Sequence, residues 1–312
     1  MAMNYPPLPP DEYDRERVEH SRFRRRLLLG EWREDLYRAL RTEIDSTRRI
    51  AWGAGDITKN VFRSVVNQLS VLYDREPVID HERGEGAVTT LRDVIHRAGL
   101  WQLAPRMQQF CVGMREALYR FDMVPGSRED GDPSIGVRIV ASDLVYGVAN
   151  PDEQDIPIKI CEYRRRTLPD GSEDWFIDEF SIEDPDRPYY RVVEAKTTQL
   201  EDGTTYNRDF SEMYLGERGG LEGEAYPYRY ADGTPFLPYS LYHASRTGTL
   251  FDPYFGLELC EGSLVVSVLW TFWRHCVRDC SWPQRYDVGV RPAGGYTSVN
   301  TQGNYAYIPT DP

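Results

Sequence analysis

The chain has 312 residues, about two domains at roughly 150 residues each, and 40% of them are hydrophobic, so it can bury a sizeable core and is not disordered throughout. Its 37 basic and 50 acidic residues leave a formal net charge of −13, which excludes a protein that coats nucleic acid, because a coating surface needs net positive charge to displace counterions. Prolines and charges fill the N-terminal stretch where a secretory segment needs an apolar run. The most apolar stretch, LVVSVLWTFW at 264–273, is much shorter than the ~20 residues of a bilayer span. Five scattered cysteines, an odd number, read as reduced thiols in a protein made in the cytoplasm. Only Lys59, Lys159 and Lys196 are lysines among the basic residues, a lopsidedness that coding bias explains as well as chemistry does.

In chain order, residues 1–12 (MAMNYPPLPPDE) form a proline-rich arm, extended and able to lie along a neighbouring molecule. From 13 to 49 apolar residues recur at helical spacing, with Leu28, Trp32, Leu36, Leu40 and Ile44 stepping by four along one face. A second helix starts after Asp56 as N-cap. It carries Val61, Val65, Leu69 and Leu72 as its stripe until Pro77 stops it. A third (88–96) and a fourth (102–120) follow, parted at Gly99 and closed by Pro125 and Gly126.

Short runs rich in Val, Ile, Tyr and Phe then replace the helical spacing, at 136–141, 144–149, 157–166, 174–182 and 189–196. Turn clusters separate most of them, which predicts an antiparallel meander with Ile158, Ile160 and Tyr163, or Trp175 and Ile177, as candidate inward positions. Residues 150–235 hold 21 acidic and 10 basic residues, read as a solvated sheet face with acidic turns. Residues 201–232 read as a surface loop and 234–243 as an edge strand bracketed by prolines. A long helix is expected over 257–280, with Leu264, Val268, Phe272 and Cys276 on one stripe and Val265, Leu269 and Trp273 beside it. Being apolar around most of its first half, it has to be covered by other protein. Pro283 ends it, and the Gly-, Tyr- and Asn-rich tail beyond 287 has no core of its own. The fold class is α+β: N-terminal helices, an antiparallel meander, a long helix and an irregular tail.

The sequence holds no GxxxxGK[ST], no GxGxxG and no GxSxG. Its histidines, at 20, 81, 96, 243 and 275, are dispersed. His275 with Cys276 and Cys280, two thiols one turn apart, could offer three zinc ligands on a helix, but no second ligand pair follows, and the plainer reading is an apolar helix face. RVVEAK at 191–196 puts Glu194 and Lys196 two apart on a strand, with Asp178 on the strand before. In Mg²⁺-dependent nucleases two such carboxylates hold the metal and a lysine orients or deprotonates water. The competing reading is a same-face charge pair on an acidic sheet.

As an ordered set, several segments resemble the front part of tailed-bacteriophage portal proteins, the ring at the capsid vertex through which DNA is packaged. They are the helix DITKNVFRSVVNQLS (56–70) with its VLYDREPV stop (71–78), the helix leading into GVRIVASDLVY (136–146), the returning strand DGTPFLPYSLY (232–242), and the long helix ending in CSWPQRY (280–286). The resemblance implies an extended arm over 1–12 and a wing over 13–256, made of helices 13–125, the meander 136–196 and a loop and edge strand 197–243. It further implies a stem helix over 257–282 and a clip beginning at 283–312, where the family continues with a returning helix and a crown. Leu264, Val268, Phe272 and Trp273 would then face neighbouring subunits, and Trp282, Arg285, Tyr286 and Tyr296 would serve docking at the clip. By this resemblance the protein is a cofactor-free, non-enzymatic ring of about twelve subunits in the virion. Its partners would be the major capsid protein, the terminase large subunit, a head–tail connector protein and the dsDNA passing through, with no membrane. An acidic wall suits a conduit along which DNA slides without sticking. Other readings are the nuclease of Asp178, Glu194 and Lys196, or another minor capsid or connector component.

Overall fold

The computed structural model describes residues 5–43, 59–73, 78, 84–124, 134–199, 205–216, 220–245, 247–252, 256–281, 285–288 and 305–308. The chain divides into two compact units, Met1–Leu28 with Ser64–Leu257 and Leu29–Arg63 with Glu258–Pro312.

Helix α1, Glu12–Leu29, starts where Asp11 Oδ1 accepts the amides of Tyr13 at 2.9 Å and Asp14 at 3.2 Å, satisfying amides that have no partner inside the helix. The expected single helix over 13–49 is broken. Gly30, at φ 80°, turns the chain out of α1, and α2, Arg33–Glu43, starts afresh. Leu28, Trp32, Leu36 and Leu40 are nevertheless all buried, so the spacing located the apolar positions but not the break; Ile44 lies outside the described residues. The arm folds back on its own chain. Arg22 donates to the Pro6 carbonyl at 2.7 Å, and the Tyr5 ring lies beneath the guanidinia of Arg22, Arg25 and Arg26.

Helix α3, Val61–Leu69, is capped by Asn60, whose Oδ1 accepts the Arg63 amide at 2.9 Å; Asp56, the expected cap, lies outside the described residues. Its buried stripe is Phe62 and Val66, whereas Val61, Leu69 and Leu72 are exposed, so the expected stripe was one step off the true face. Helix α4 spans Glu85–Arg97 and α5 Leu100–Met114. The fourth helix does not reach Arg120: Arg115 takes the left-handed conformation at φ 72° and stops α5. Residues Glu116–Val124 become strand β1 instead.

Strands β2 (Ser134–Ala141), β3 (Val145–Ala149), β4 (Pro157–Thr167), β5 (Glu173–Ser181), β6 (Tyr189–Gln199), β7 (Thr205–Asp209), β8 (Leu221–Glu222) and β9 (Tyr239–His243) form two antiparallel sheets. One has the order β2-β1-β9. The other runs β3-β4-β5-β6-β7, with β8 paired to β6. The runs at 136–141 and 144–149 therefore do not belong to one meander; the 3-10 turn Ser142–Leu144 carries the chain from one sheet to the other. The span 201–232 holds β7, the short helix α6 (Ser211–Leu215) and β8, and it buries Tyr226 and Tyr228, so it is no mere surface loop.

The main core includes Leu118, Val140, Ile160, Phe176, Phe180, Tyr190 and Val192. A smaller cluster, Cys161, Tyr163, Ile177 and Ala195, lies on the opposite face of the larger sheet. Ile160 and Tyr163 thus face opposite ways, and both faces of this sheet are at least partly covered, which is why inward positions occur at both parities.

In the second unit, helix α7 spans Glu258–Ser281, and a short parallel pair joins β10 (Arg285–Val288) to β11 (Tyr305–Ile308). No described helix is long and apolar enough to cross a membrane.

Candidate functional site

The even-numbered residues of β4, β5 and β6 share one face, because Glu162 pairs with Asp178, Phe176 with Glu194 and Phe180 with Tyr190. On β1 the same layer receives Leu118 and Arg120. Arg120, 2% exposed, donates to Glu162 Oε2 at 3.0 Å, Asp178 Oδ2 at 2.8 Å and Asp122 Oδ1 at 2.8 Å. Its guanidinium also lies 4.9 Å from the centre of the Phe180 ring. Arg138 forks onto Glu162 at 2.6 and 2.9 Å, and Arg164 (3.2 Å) and Arg166 both bind Asp178. The hydroxyls of Tyr239 and Tyr190 donate to Glu162 at 2.9 Å and to Asp178 at 3.3 Å.

Four guanidinia therefore meet the carboxylates of Asp122, Glu162 and Asp178, and the cluster joins the two sheets through charge as well as packing. Burial raises the Asp178 pKa, but Arg120, Arg166 and Arg164 outweigh it and hold the carboxyl below its ordinary value. Part of the acidic excess of 150–235 is thus internal, not a solvated face. The signal in the sequence was the alternation Glu162, Arg164, Arg166 inside an apolar strand, which marks either a solvated edge or a buried ion cluster and cannot tell them apart.

Asp178, Glu194 and Lys196 do lie on one face of adjacent strands. Asp178, however, has its Oδ1 on Arg166 and its Oδ2 on Arg120, Arg164 and Tyr190, so a metal ion would have to displace guanidinia to reach it. Lys196 is exposed and pairs with Asp174 at 2.6 Å, a contact that raises its pKa and keeps it an ammonium, the wrong form to accept a proton from water. Half-buried Glu194 lends its backbone carbonyl to Asn207 at 2.8 Å. Among the described residues no group of three His, Cys, Asp or Glu could hold a metal ion. Cys276 is exposed with a free thiol, while the side chains of His275 and Cys280 fall outside the described set.

A second cluster fastens α1. Arg17, 3% exposed, donates to Glu116 Oε1 at 2.9 Å and to the carbonyls of Ser142 and Val145, with its guanidinium 3.8 Å from the centre of the Phe251 ring. Arg25 binds the fully buried Asp143 at 2.8 Å. Burial pushes the pKa of Asp143 up, only partly opposed by Arg25.

Helix α7 is inverted relative to an ordinary surface helix. Among its described side chains the buried ones are Cys260, Ser263, Ser267, Val268 and Thr271. The hydroxyls explain why: Ser263 Oγ accepts the Phe62 amide at 2.7 Å, and Ser267 Oγ donates to the Lys59 carbonyl at 3.1 Å, so this face serves the start of α3. Six large apolar side chains point the other way. Leu259, Val265, Val266, Leu269, Trp273 and Val277 are between 40% and 59% exposed. Of the four residues expected to face neighbours, Val268 is buried within the chain, Leu264 and Phe272 are half-buried, and Trp273 is exposed. Trp282 and Tyr296 lie outside the described residues; Arg285 and Tyr286 open β10, and the structure describes only their backbone.

Compared with known proteins, the chain matches no family and no curated sequence.

Proposed function

We propose that this chain is a subunit of a homo-oligomeric, portal-type ring at a capsid vertex, a channel for dsDNA packaging and ejection that has no enzymatic activity of its own. In this reading about twelve copies associate in the virion and dock the major capsid protein, the packaging terminase and a head–tail connector. The outward apolar face of α7 carries the proposal. A helix that buries Ser263, Ser267 and Thr271 beside Cys260 and Val268 while presenting Leu269 and Trp273 to water is built to be covered by another molecule. The resemblance of the ordered segments supplies the kind of assembly.

The experiment is the native mass of the purified chain, with particle images of the same fraction. A closed ring with a central hole supports the reading, and a monomer at all concentrations overturns it. DNA cleavage that requires divalent metal and is lost in Lys196→Ala would replace it with the nuclease.

A further inference from the structure

We infer that the outward stripe of α7 in one copy docks on the apolar patch Leu69–Tyr73 of the next copy, a head-to-tail contact between two different surfaces of the chain. This rests on the assembly reading above and names the two faces that meet. The stripe steps by three and four along the helix through Leu259, Gly262, Val266, Leu269, Trp273 and Cys276, the spacing of a seam that receives another element. Val265 and Val277 flank it. No charged residue occurs between Glu261 and Arg274, so the occupant must be uncharged over the same length.

The seam also has relief. Trp273 is a large exposed ridge, and Gly262 is a gap, with no atom within 4 Å of where a Cβ would stand. From the residue exposures, the apolar surface left in water is on the order of 500 Å², at the upper range of what one monomer shows.

The first unit has an apolar surface of similar size. At the end of α3 and just beyond it, Leu69 is 59% exposed, Val71 55%, Leu72 79% and Tyr73 39%, a continuous run interrupted only by Ser70. Ser70 turns its hydroxyl to the Val66 carbonyl, so the run presents hydrocarbon and one phenol. The two patches together approach the roughly 1,000 Å² that a specific interface buries. A contact of α7 with α7 about a two-fold axis would cover the stripe, leave Leu69–Tyr73 in water and end at two copies. A contact between the two different patches covers both and repeats from copy to copy, closing a ring where the rotation allows.

The test uses the full chain carrying Trp273→Arg or Leu72→Arg, both at exposed positions, with circular dichroism to verify folding and Trp273→Ala and Leu72→Ser as milder versions. Mass is read by native mass spectrometry and sedimentation. We expect each arginine variant to weaken self-association roughly 100-fold and to run as the 36.1 kDa monomer. An equimolar mixture of the two should yield a one-to-one pair and nothing larger, because one intact stripe and one intact patch remain between them. If Leu72→Arg assembles as the wild type does, or if mixing restores no pair, the docking inference is overturned while self-assembly stands. A wild type that stays monomeric overturns the assembly reading itself, a separate and distinguishable failure.

Discussion

Replacing Arg120 by methionine tests whether charge holds the two sheets together. Methionine fills most of the volume over Phe180 but supplies no donor, so Glu162 and Asp178, 1% and 0% exposed, lose a shared partner. Removing one partner of a buried ion pair costs about 3–5 kcal/mol. Here Glu162 keeps Arg138, and Asp178 keeps Arg164 and Arg166, which places the loss near the lower end, about 3 kcal/mol. Arg164→Ala is the internal control. Arg164 is 35% exposed and Asp178 retains two other guanidinia, so its cost stays within about 1 kcal/mol. Urea unfolding at fixed protein concentration, followed by circular dichroism, reads the difference as a midpoint lowered by about 1–2 M for Arg120→Met. An Arg120→Met protein as stable as the wild type, or equal losses for both variants, would refute the electrostatic account and leave packing as the tie between the sheets.

Acid titration separates two kinds of buried carboxyl. Asp143, whose folded pKa is raised, binds its proton more tightly when native, so stability rises as pH falls through that pKa toward the unfolded value of about 4, and Asp143→Asn should flatten this rise. Asp178 is depressed, so its contribution persists down to about pH 4 and is lost below; unfolding midpoints across pH 7 to 2.5 check both signs. Gly147→Ala should cost about 1–3 kcal/mol because its Cβ would stand 2.4 Å from the Lys159 carbonyl oxygen, whereas Gly262→Ala, with open space around it, should be neutral or stabilising by up to ~1 kcal/mol in thermal unfolding. Ser263→Ala leaves the Phe62 amide without its hydroxyl acceptor and should cost about 1–3 kcal/mol, read as faster hydrogen exchange at that amide.

The α+β class and most strand positions were legible because β-branched and aromatic residues concentrate between turn clusters, and β3 to β6 start and end within a residue or so of those runs except at the end of β6, which runs on to Gln199. Strand β1 was not legible. EALYR continues the spacing of α5, and what ends that helix is a left-handed Arg115, a conformation no composition rule assigns to arginine. The inward direction of α7 was hidden for a related reason. Periodicity assumes that the apolar face is the buried one, and here the amide and carbonyl at the start of α3 call for hydroxyls. Glu194 and Lys196 do share a face, with Asp178 on the neighbouring strand, yet Arg120, which binds Asp178, and Arg138 and Tyr239, which bind Glu162 beside it, come from strands far away in sequence, so the chemistry of that face could not be inferred from the strands that carry it.

The position of Arg120 also bears on time. The groups it gathers come from residues 122, 162, 178, 190 and 239, so its full set of contacts exists only after both sheets have closed on each other. Contacts made after the folding barrier, when weakened, speed escape from the native state while hardly changing the rate of arrival, so Arg120→Met is expected to raise the unfolding rate more than it lowers the refolding rate. Arg120 therefore acts as a latch on lifetime: it sets how long the two sheets stay closed on each other, a property separate from the depth of the energy minimum.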